Sequence, residues 1–416
     1  MSKKNIERAE ASRVIFDGLE EYARMSIQRL LQELLEEEVT ELLGRKKSQR
    51  CATVLEGAAG YRNGYGKARS LSMSIGTITL RRPRVRGLEE RFVSRLIPLF
   101  KRRTKEVGEL IPQLYLHGLS QGDFELALRG LLGDGAPLSA SSVGRLKAHW
   151  QIEYDEWKRR SLVEQEVVYL WVDGVYVKAG LEKEKAALLV AVGVLRDGRK
   201  VVLAVEPGHR ESTEAWSAVL RDLKQRGMRS PRLVIGDGHL GIWGALRNVF
   251  PDADEQRCWN HRMVNVLDKV PKKEQRQAKL LLTAIPYAQI RQDAERLKGK
   301  FDAWCEEKRL HAAAEILATD WERMVAFYSY PSEHWRHLRT TNVIESPFAA
   351  LRLRTDAAKR FKKVDNATAI IWKTLLVAEA HSFRRLNAPE LLTEIAEGAR
   401  YADGKRVRKE HEKAAA

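Results

Sequence analysis

The chain has 416 residues and a mass of 47.5 kDa, enough for two to four domains, and is 44% hydrophobic and 31% charged, so it is globular and not disordered. Its 73 Lys and Arg against 56 Asp and Glu leave a net charge of +17, which points to a polyanionic partner, most commonly nucleic acid. Three cysteines exclude a disulfide framework, the opening MSKKNIERAE lacks a signal-peptide core, and the longest apolar stretch, Ala186 to Leu195, is too short to cross a membrane.

The charge is unevenly placed. Residues 1–44 carry 6 basic and 10 acidic side chains, whereas residues 45–105 carry 17 basic and 3 acidic ones. Clustering of one sign favours phosphate binding over a merely solvated face. In the acidic stretch, Ile27, Leu30, Leu31, Leu34, Leu35, Val39, Leu42 and Leu43 repeat at helical spacing, with Gly44 as the stop. This helix either packs on its own domain or mediates dimerisation, with Leu31 and Leu34, or Leu35 and Leu42, on a self-association seam.

The basic region, 45–103, starts with Tyr61–Gly66, which reads as a turn, and continues with strands over Ser70 to Arg86. A two-stranded ribbon carrying Arg81, Arg82, Arg84 and Arg86 can lie along a DNA groove, and Lys101, Arg102 and Arg103 extend the basic run. Residues 104–162 are helical: Gly108 to Leu119, Phe124 to Leu132 and, after Pro137-Leu-Ser139, Ser141 to Trp157. This succession resembles a helix-turn-helix, although three helices packed without DNA have the same spacing.

From Val167 the period changes. Val167 to Val177 is an almost continuous apolar run, as a central strand buried on both faces should be. Ala186 to Leu195 and Lys200 to Val205 are two more strands, joined at the hairpin signal Arg196-Asp-Gly-Arg199. A helix over Ser212 to Arg226, a strand ending at Gly236, a helix to about Val249 and a strand over Asp254 to Cys258 follow. This order is that of a ribonuclease H-like mixed α/β core.

Two carboxylates stand where burial makes them costly. Asp173 interrupts the first strand and Asp237 ends the Leu233–Gly236 strand, at the carboxyl edge where α/β sheets gather ligands. Either could belong to an Asp-Gly turn, but adjacent strands would set the two acids side by side, and a bound divalent cation is the natural compensation. Glu345 lies in a helix opened by Thr340-Thr-Asn-Val-Ile-Glu-Ser346, and from spacing alone Asn342 and Glu345 form a capping box. Cys258 and His261 have no second Cys/His pair nearby to complete a structural zinc site, so they read as a buried brace beside the acids. Trp304 and Trp321 read as core.

Taken together, Arg62-Asn-Gly64, Thr79-Leu-Arg-Arg-Pro-Arg84, Tyr169 to Val177, Gly236-Asp-Gly-His-Leu-Gly241, Gln256-Arg-Cys-Trp-Asn-His261 and Arg339 to Ser346 are specific in their order and spacing. With them the chain resembles bacterial insertion-sequence transposases of the Mutator-like family over nearly its whole length. The resemblance implies a DDE triad of Asp173, Asp237 and Glu345, a Cys-x-x-His signature at Cys258 and His261, and an all-α insertion before the final Glu. It implies binding of terminal inverted repeats on double-stranded DNA, then strand cleavage and strand transfer at two Mg2+ (or Mn2+) ions held by the three acids. It further implies a homodimer or higher oligomer on DNA, a cytoplasmic, nucleoid-associated location, and no membrane or nucleotide cofactor. Lys359, Arg360, Lys362 and Lys363, after the Glu345 helix, are expected to hold the DNA backbone, with Asn342 supporting the site. A DNA-binding regulator without catalysis and a nuclease or resolvase that cuts without joining are the alternatives.

The expected architecture is multidomain α+β. It comprises a helical segment (1–44), a basic β-ribbon (45–103), a helix-turn-helix-like region (104–162) and a ribonuclease H-like core (163–270). An all-α insertion (271–338), the final Glu helix with C-terminal helices (339–400) and a basic tail (401–416) complete it.

Overall fold

The computed structural model describes residues 18–49, 60–98, 101–120, 122–132, 140–180, 185–208, 211–238 and 240–407. Cys51, the Pro137–Ser139 stretch, His239 and most of the basic tail lie outside them. The chain forms two compact units, divided between Leu146 and Lys147.

The first unit begins with α1 (Leu19–Leu43), which Gly44 ends in the left-handed conformation at φ 62°, where a side chain would be strained. Two antiparallel ribbons follow: β1 (Tyr61–Tyr65) with β4 (Pro83–Arg86), and β2 (Arg69–Met73) with β3 (Gly76–Leu80). Tyr61–Tyr65 is therefore a strand where the sequence reads as a turn. An irregular register between Arg62 and Tyr65, with Gly64 at φ 63°, absorbs the Asn-Gly pair inside the ribbon.

Leu35 of α1 is buried against Ile78, Leu80 and Ile97, with Leu31 packed alongside. The helix thus covers its own domain with residues expected at a self-association seam. Leu19, Tyr22, Met25, Leu30 and Leu42 are its exposed large apolar residues. Gln32 bonds both backbone groups of Arg81, at 2.8 and 3.0 Å, and the Gln28 side chain accepts from Thr79 N at 3.1 Å. Helix side chains thereby occupy the edge of β3, which would otherwise be open. The helices α2 (Lys105–Leu116) and α3 (Phe124–Leu132) follow, and α4 (Ala140–Trp157) carries the division between the units.

The second unit is built on a five-stranded sheet of β5 (Val167–Val177), β6 (Ala186–Leu195), β7 (Lys200–Gly208), β8 (Leu233–Gly236) and β9 (Asp254–Arg257). Its order is β7-β6-β5-β8-β9; β5, β6 and β7 form an antiparallel meander, and β5, β8 and β9 run parallel. The seven residues from Val167 to Asp173 are all buried, which explains the unbroken apolar run of β5. One core cluster joins Leu170 and Val172 to Trp216 and Leu220 of α5 (Thr213–Gln225) and to Trp243 and Leu246 of α6 (Leu240–Val249).

After α7 (Trp259–Leu267), every element between 271 and 338 is helical: α8 (Gln275–Ala284), α9 (Arg291–Glu307), α10 (His311–Ala318), α11 (Trp321–Val325), α12 (Trp335–Leu338) and short 3-10 turns. Tyr169 and Trp171 of β5 anchor the end of this region, through Tyr169 Oη to His334 Nδ1 at 2.9 Å and Trp171 Nε1 to the His337 carbonyl at 3.2 Å. The chain returns through α13 (Asn342–Ala358), which packs on β5, and α14 (Val364–His381), which packs on β7. Helix α15 (Pro389–Ala396) and a small ribbon, β10 (Tyr401–Ala402) with β11 (Lys405–Arg406), complete the described fold. Among the described residues, no helix is long and apolar enough to cross a membrane.

Candidate active site

Trp171 of β5 stands in parallel register with Ile235 of β8. Asp173 and Asp237 each follow that pair by two residues, Asp173 within β5 and Asp237 just past the end of β8. Asp173 is a strand residue paired with Val190, not part of a turn, and it is 9% exposed. Its Oδ1 accepts from Gly174 N at 2.8 Å. Burial pushes its carboxyl up to about 7, with Asp237 and Glu211 adding to the shift, while the Gly174 N–H and His261 oppose it. Asp237 is half-buried just beyond β8.

Glu211 was not legible as a site residue. It precedes Ser212, the N-cap of α5, and its carboxylate lies so close over Gly174 that a Cβ there would displace it. It is 8% exposed and receives the Tyr176 hydroxyl, and that bond together with burial holds the phenol ionisation above its usual range. The signal was available only as a carboxylate beside a helix cap, a pattern shared by many solvated helix starts.

Glu345 lies in the first turn of α13 and is half-buried. The capping box does not form: Thr341, not Asn342, is the N-cap, and the Thr341 hydroxyl bonds the Glu345 carboxylate. Asn342 is exposed and accepts from Asn260 Nδ2 at 3.1 Å. His261 Nδ1 lies 3.9 Å from Glu345 Oε1. The imidazole is held protonated to about 9 by the Cys258 sulfur within hydrogen-bond reach, with Glu345 and Asp237 adding and burial opposing. His261 is thus the cationic neighbour common to Asp173, Asp237 and Glu345. Among the described residues, the metal-competent side-chain atoms gathered within 4.8 Å of one another are those of Cys258, His261 and Glu345; the two aspartates stand outside that set.

The segment after β9 explains much of its motif by packing. Gln256, fully buried, accepts from Phe327 N at 2.8 Å and donates to the Met324 carbonyl at 3.2 Å. Trp259 Nε1 donates to the same carbonyl at 2.7 Å. Arg257, Arg262 and Arg323 all bind the Asp320 carboxylate, and Asp320 adopts φ 72°. Trp321 meets Trp259 edge-on and Trp304 packs on Phe301; both are half-buried.

The basic residues divide by availability. Arg81, Arg84, Arg86, Lys101 and Arg102 are exposed, whereas Arg82 donates to the Pro98 carbonyl at 2.5 Å and Arg103 is half-buried. Lys359, Arg360, Lys362 and Lys363 are exposed in the loop between α13 and α14. That loop is tied to the end of β5: Phe361 N donates to the Lys178 carbonyl at 2.8 Å, Gly180 N to the Phe361 carbonyl at 3.0 Å, and Arg360 Nη1 to the Gly180 carbonyl at 2.9 Å. The exposed Lys178 joins this basic strip, another residue that sequence reasoning missed.

A mixed five-stranded sheet, with the helices of 271–338 running between β9 and α13, is the frame in which Asp173, Asp237 and Glu345 stand. The family model for Mutator-family transposases matches residues 1–385. The chain is 45% identical to the transposase of insertion sequence element IS6120 from Mycolicibacterium smegmatis, over 299 residues that cover 72% of this chain and 92% of that protein. It is 39% identical to the transposase of IST2 from Acidithiobacillus ferrooxidans over 67% of this chain and 94% of that one. It is 31% identical to the transposase of ISRM5 from Rhizobium meliloti over 88% of each. The chain belongs to the Mutator family of transposases, enzymes of DNA transposition.

The pH dependence of the metal-free protein tests the burial of Asp173. A carboxyl whose folded value is raised stabilises the fold below its ordinary 3.8, and that contribution is lost as pH rises towards about 7. His261 contributes stability below its ordinary 6.5 that is lost towards about 9. Thermal unfolding in a chelator is therefore expected to shift to lower temperature from pH 5 to pH 7. Asp173→Asn should flatten that interval, and Glu211→Gln should move it to lower pH. An unchanged slope in Asp173→Asn would show that Asp173 ionises freely.

Proposed function

We propose that this transposase binds the terminal inverted repeats of an insertion sequence and catalyses metal-dependent strand cleavage and strand transfer at Asp173, Asp237 and Glu345. The observation that supports the reading is the parallel register of Trp171 with Ile235, each two residues before an acid, Asp173 being buried and Asp237 half-buried. The strand order and directions support a ribonuclease H-like core, with the helices of 271–338 inserted before the last acid.

The donor set fits a hard divalent cation. Burial raises the Asp173 carboxyl to about 7 in spite of the Gly174 N–H and His261, Glu211 brings a further carboxylate to its side, and carboxylate oxygens are hard donors. Asp173, Asp237 and Glu345 would hold Mg2+ or Mn2+, two ions in this reading. When bound, such ions activate water or a DNA 3′-hydroxyl and neutralise charge developing on the phosphate. The protein's own part is positional. The sheet holds the two aspartates, α13 brings the glutamate, and His261 offsets carboxylate charge from the far side. The basic strip from Lys178 to Lys363 would hold the backbone of the strand to be cut, because it is tethered to the strand that bears Asp173. The ribbon of the first unit would hold the element end. Two ends must be held at once, so at least two protomers on DNA are expected, in the cytoplasm at the nucleoid.

Asp173→Asn, Asp237→Asn and Glu345→Gln should each abolish nicking and joining of an end substrate while gel-shift binding survives. Nicking by Glu345→Gln at a near-normal rate would remove Glu345 from the site. A protein that nicks but never joins a 3′-hydroxyl end to target DNA would be a nuclease and not a strand-transfer enzyme.

The exposed arginines of the ribbon generate a separate expectation. Replacing Arg81, Arg84 and Arg86 by Ala should weaken end binding and flatten its salt dependence by roughly 0.9 in log–log slope per lost phosphate contact. Arg82→Ala should act differently, lowering the melting temperature through its lost bond to Pro98. An unchanged salt slope in the triple variant would place the DNA elsewhere.

A further inference from the structure

The N-terminus of α13 contains a threonine whose hydroxyl is diverted from its ordinary use. An N-cap hydroxyl normally accepts from the second or third N–H of its helix. Thr341 is the N-cap of α13, fully buried, yet makes no such bond. Its Oγ1 instead lies 3.2 Å from Cys258 Sγ and 3.5 Å from His261 Nδ1, and bonds the Glu345 carboxylate. A hydroxyl has one proton and two lone pairs. The carboxylate is the strongest acceptor present, so it takes the proton, and the lone pairs face the thiol and the imidazole.

The other end of this contact is also fixed. Thr341 N lies 3.3 Å from Cys258 Sγ, and Trp259 N donates to the Arg339 carbonyl at 2.9 Å. Cys258 N donates to the Gly236 carbonyl at 2.8 Å, one residue before Asp237. A chain of bonds therefore runs from the strand of Asp237 through Cys258 and Thr341 to Glu345. We propose that Thr341 is a positioning residue: its hydroxyl, anchored by Cys258, fixes the orientation in which the Glu345 carboxylate is offered to a metal ion. The inference rests on the reading of Glu345 as an acid of the site, and it gives Cys258 and His261 a task that needs no ion of their own.

The test is nicking of an end substrate against Mg2+ concentration, with end binding and melting temperature measured in parallel. Thr341→Val keeps the shape and removes the hydroxyl; Thr341→Ser keeps the hydroxyl. Thr341→Val is expected to raise the half-saturating Mg2+ by roughly 10- to 100-fold, as loss of an outer-sphere partner does, with end binding retained. Thr341→Ser should stay within about threefold of the wild type, since the outer-sphere bond survives. A Thr341→Val protein with wild-type metal dependence would overturn the proposal, as would a serine variant as impaired as the valine one. If Thr341→Val does not fold, Cys258→Ala carries the test, because it frees the hydroxyl from its anchor and should raise the Mg2+ requirement; no change would overturn the anchor. One Zn2+ retained per chain after dialysis, and lost in Cys258→Ala, would also overturn the proposal by making these atoms a metal centre. Glu345→Gln separates the two levels: if it nicks normally, the catalytic reading fails, and if it is inactive while Thr341→Val is normal, only the positioning role fails.

Discussion

A carboxylate inside the central strand of the sheet constrains the rest of the second unit. Asp173 sits at the end of seven consecutive buried residues, where water cannot solvate its charge. An uncompensated charge at such a position costs several kcal/mol, so the surroundings must either neutralise it or supply an ion. Burial raises its carboxyl to about 7, and one backbone N–H and His261 oppose the rise. Two further acids, Asp237 and Glu211, make the ionised state harder still. In the proposed function, a divalent cation supplies the positive charge that this arrangement of acids lacks.

That constraint propagates into the backbone. Glu211 occupies the space where a side chain on residue 174 would stand, and the Arg257 guanidinium likewise fills that of Gly238. Gly238 also stands at φ 92°, a backbone conformation that side chains rarely adopt. The Asp-Gly pairs that read as turn signals are therefore carboxylates followed by residues small enough for neighbouring charged groups to approach.

How much could be read from the sequence depends on the range of the interactions. The strands Val167–Val177 and Ala186–Leu195 were legible to the residue, because burial on both faces leaves an unbroken apolar run. The helix Phe124–Leu132 and the Gly44 stop were legible for equally local reasons. Asp173 and Asp237 stood out as charges where the pattern demanded none. Tyr61–Tyr65 was misread because Asn-Gly is a turn signal unless a partner strand, here β4, absorbs it as a register irregularity. Leu35 looked like part of a seam because periodicity reveals an apolar face without saying what covers it, and the ribbon of the same unit does. Glu211 and Thr341 left no periodic trace. Their surroundings come from segments 37 and 83 positions away, at Gly174 and Cys258, and no local pattern encodes such a meeting.

The Cys-x-x-His spacing then has a geometric explanation. Cys258 caps α7 and His261 lies three residues on, so both point to one face of its first turn, where Thr341 and Glu345 wait. Trp259 and Arg262 carry the same spacing one step round the helix, and they face the Met324 carbonyl and Asp320 of the helical region. Gln256 and Arg257, at the end of β9, add two more bonds in that direction. One short segment therefore holds the inserted helices on one side and the last acid on the other. Asp320 concentrates three arginines on a single carboxylate in a left-handed conformation, and breaking it would leave buried guanidinium groups without their counter-ion. The same helix, α7, thus contacts the helices of 271–338 through Trp259 and Arg262 and meets Thr341 and Glu345 through Cys258 and His261.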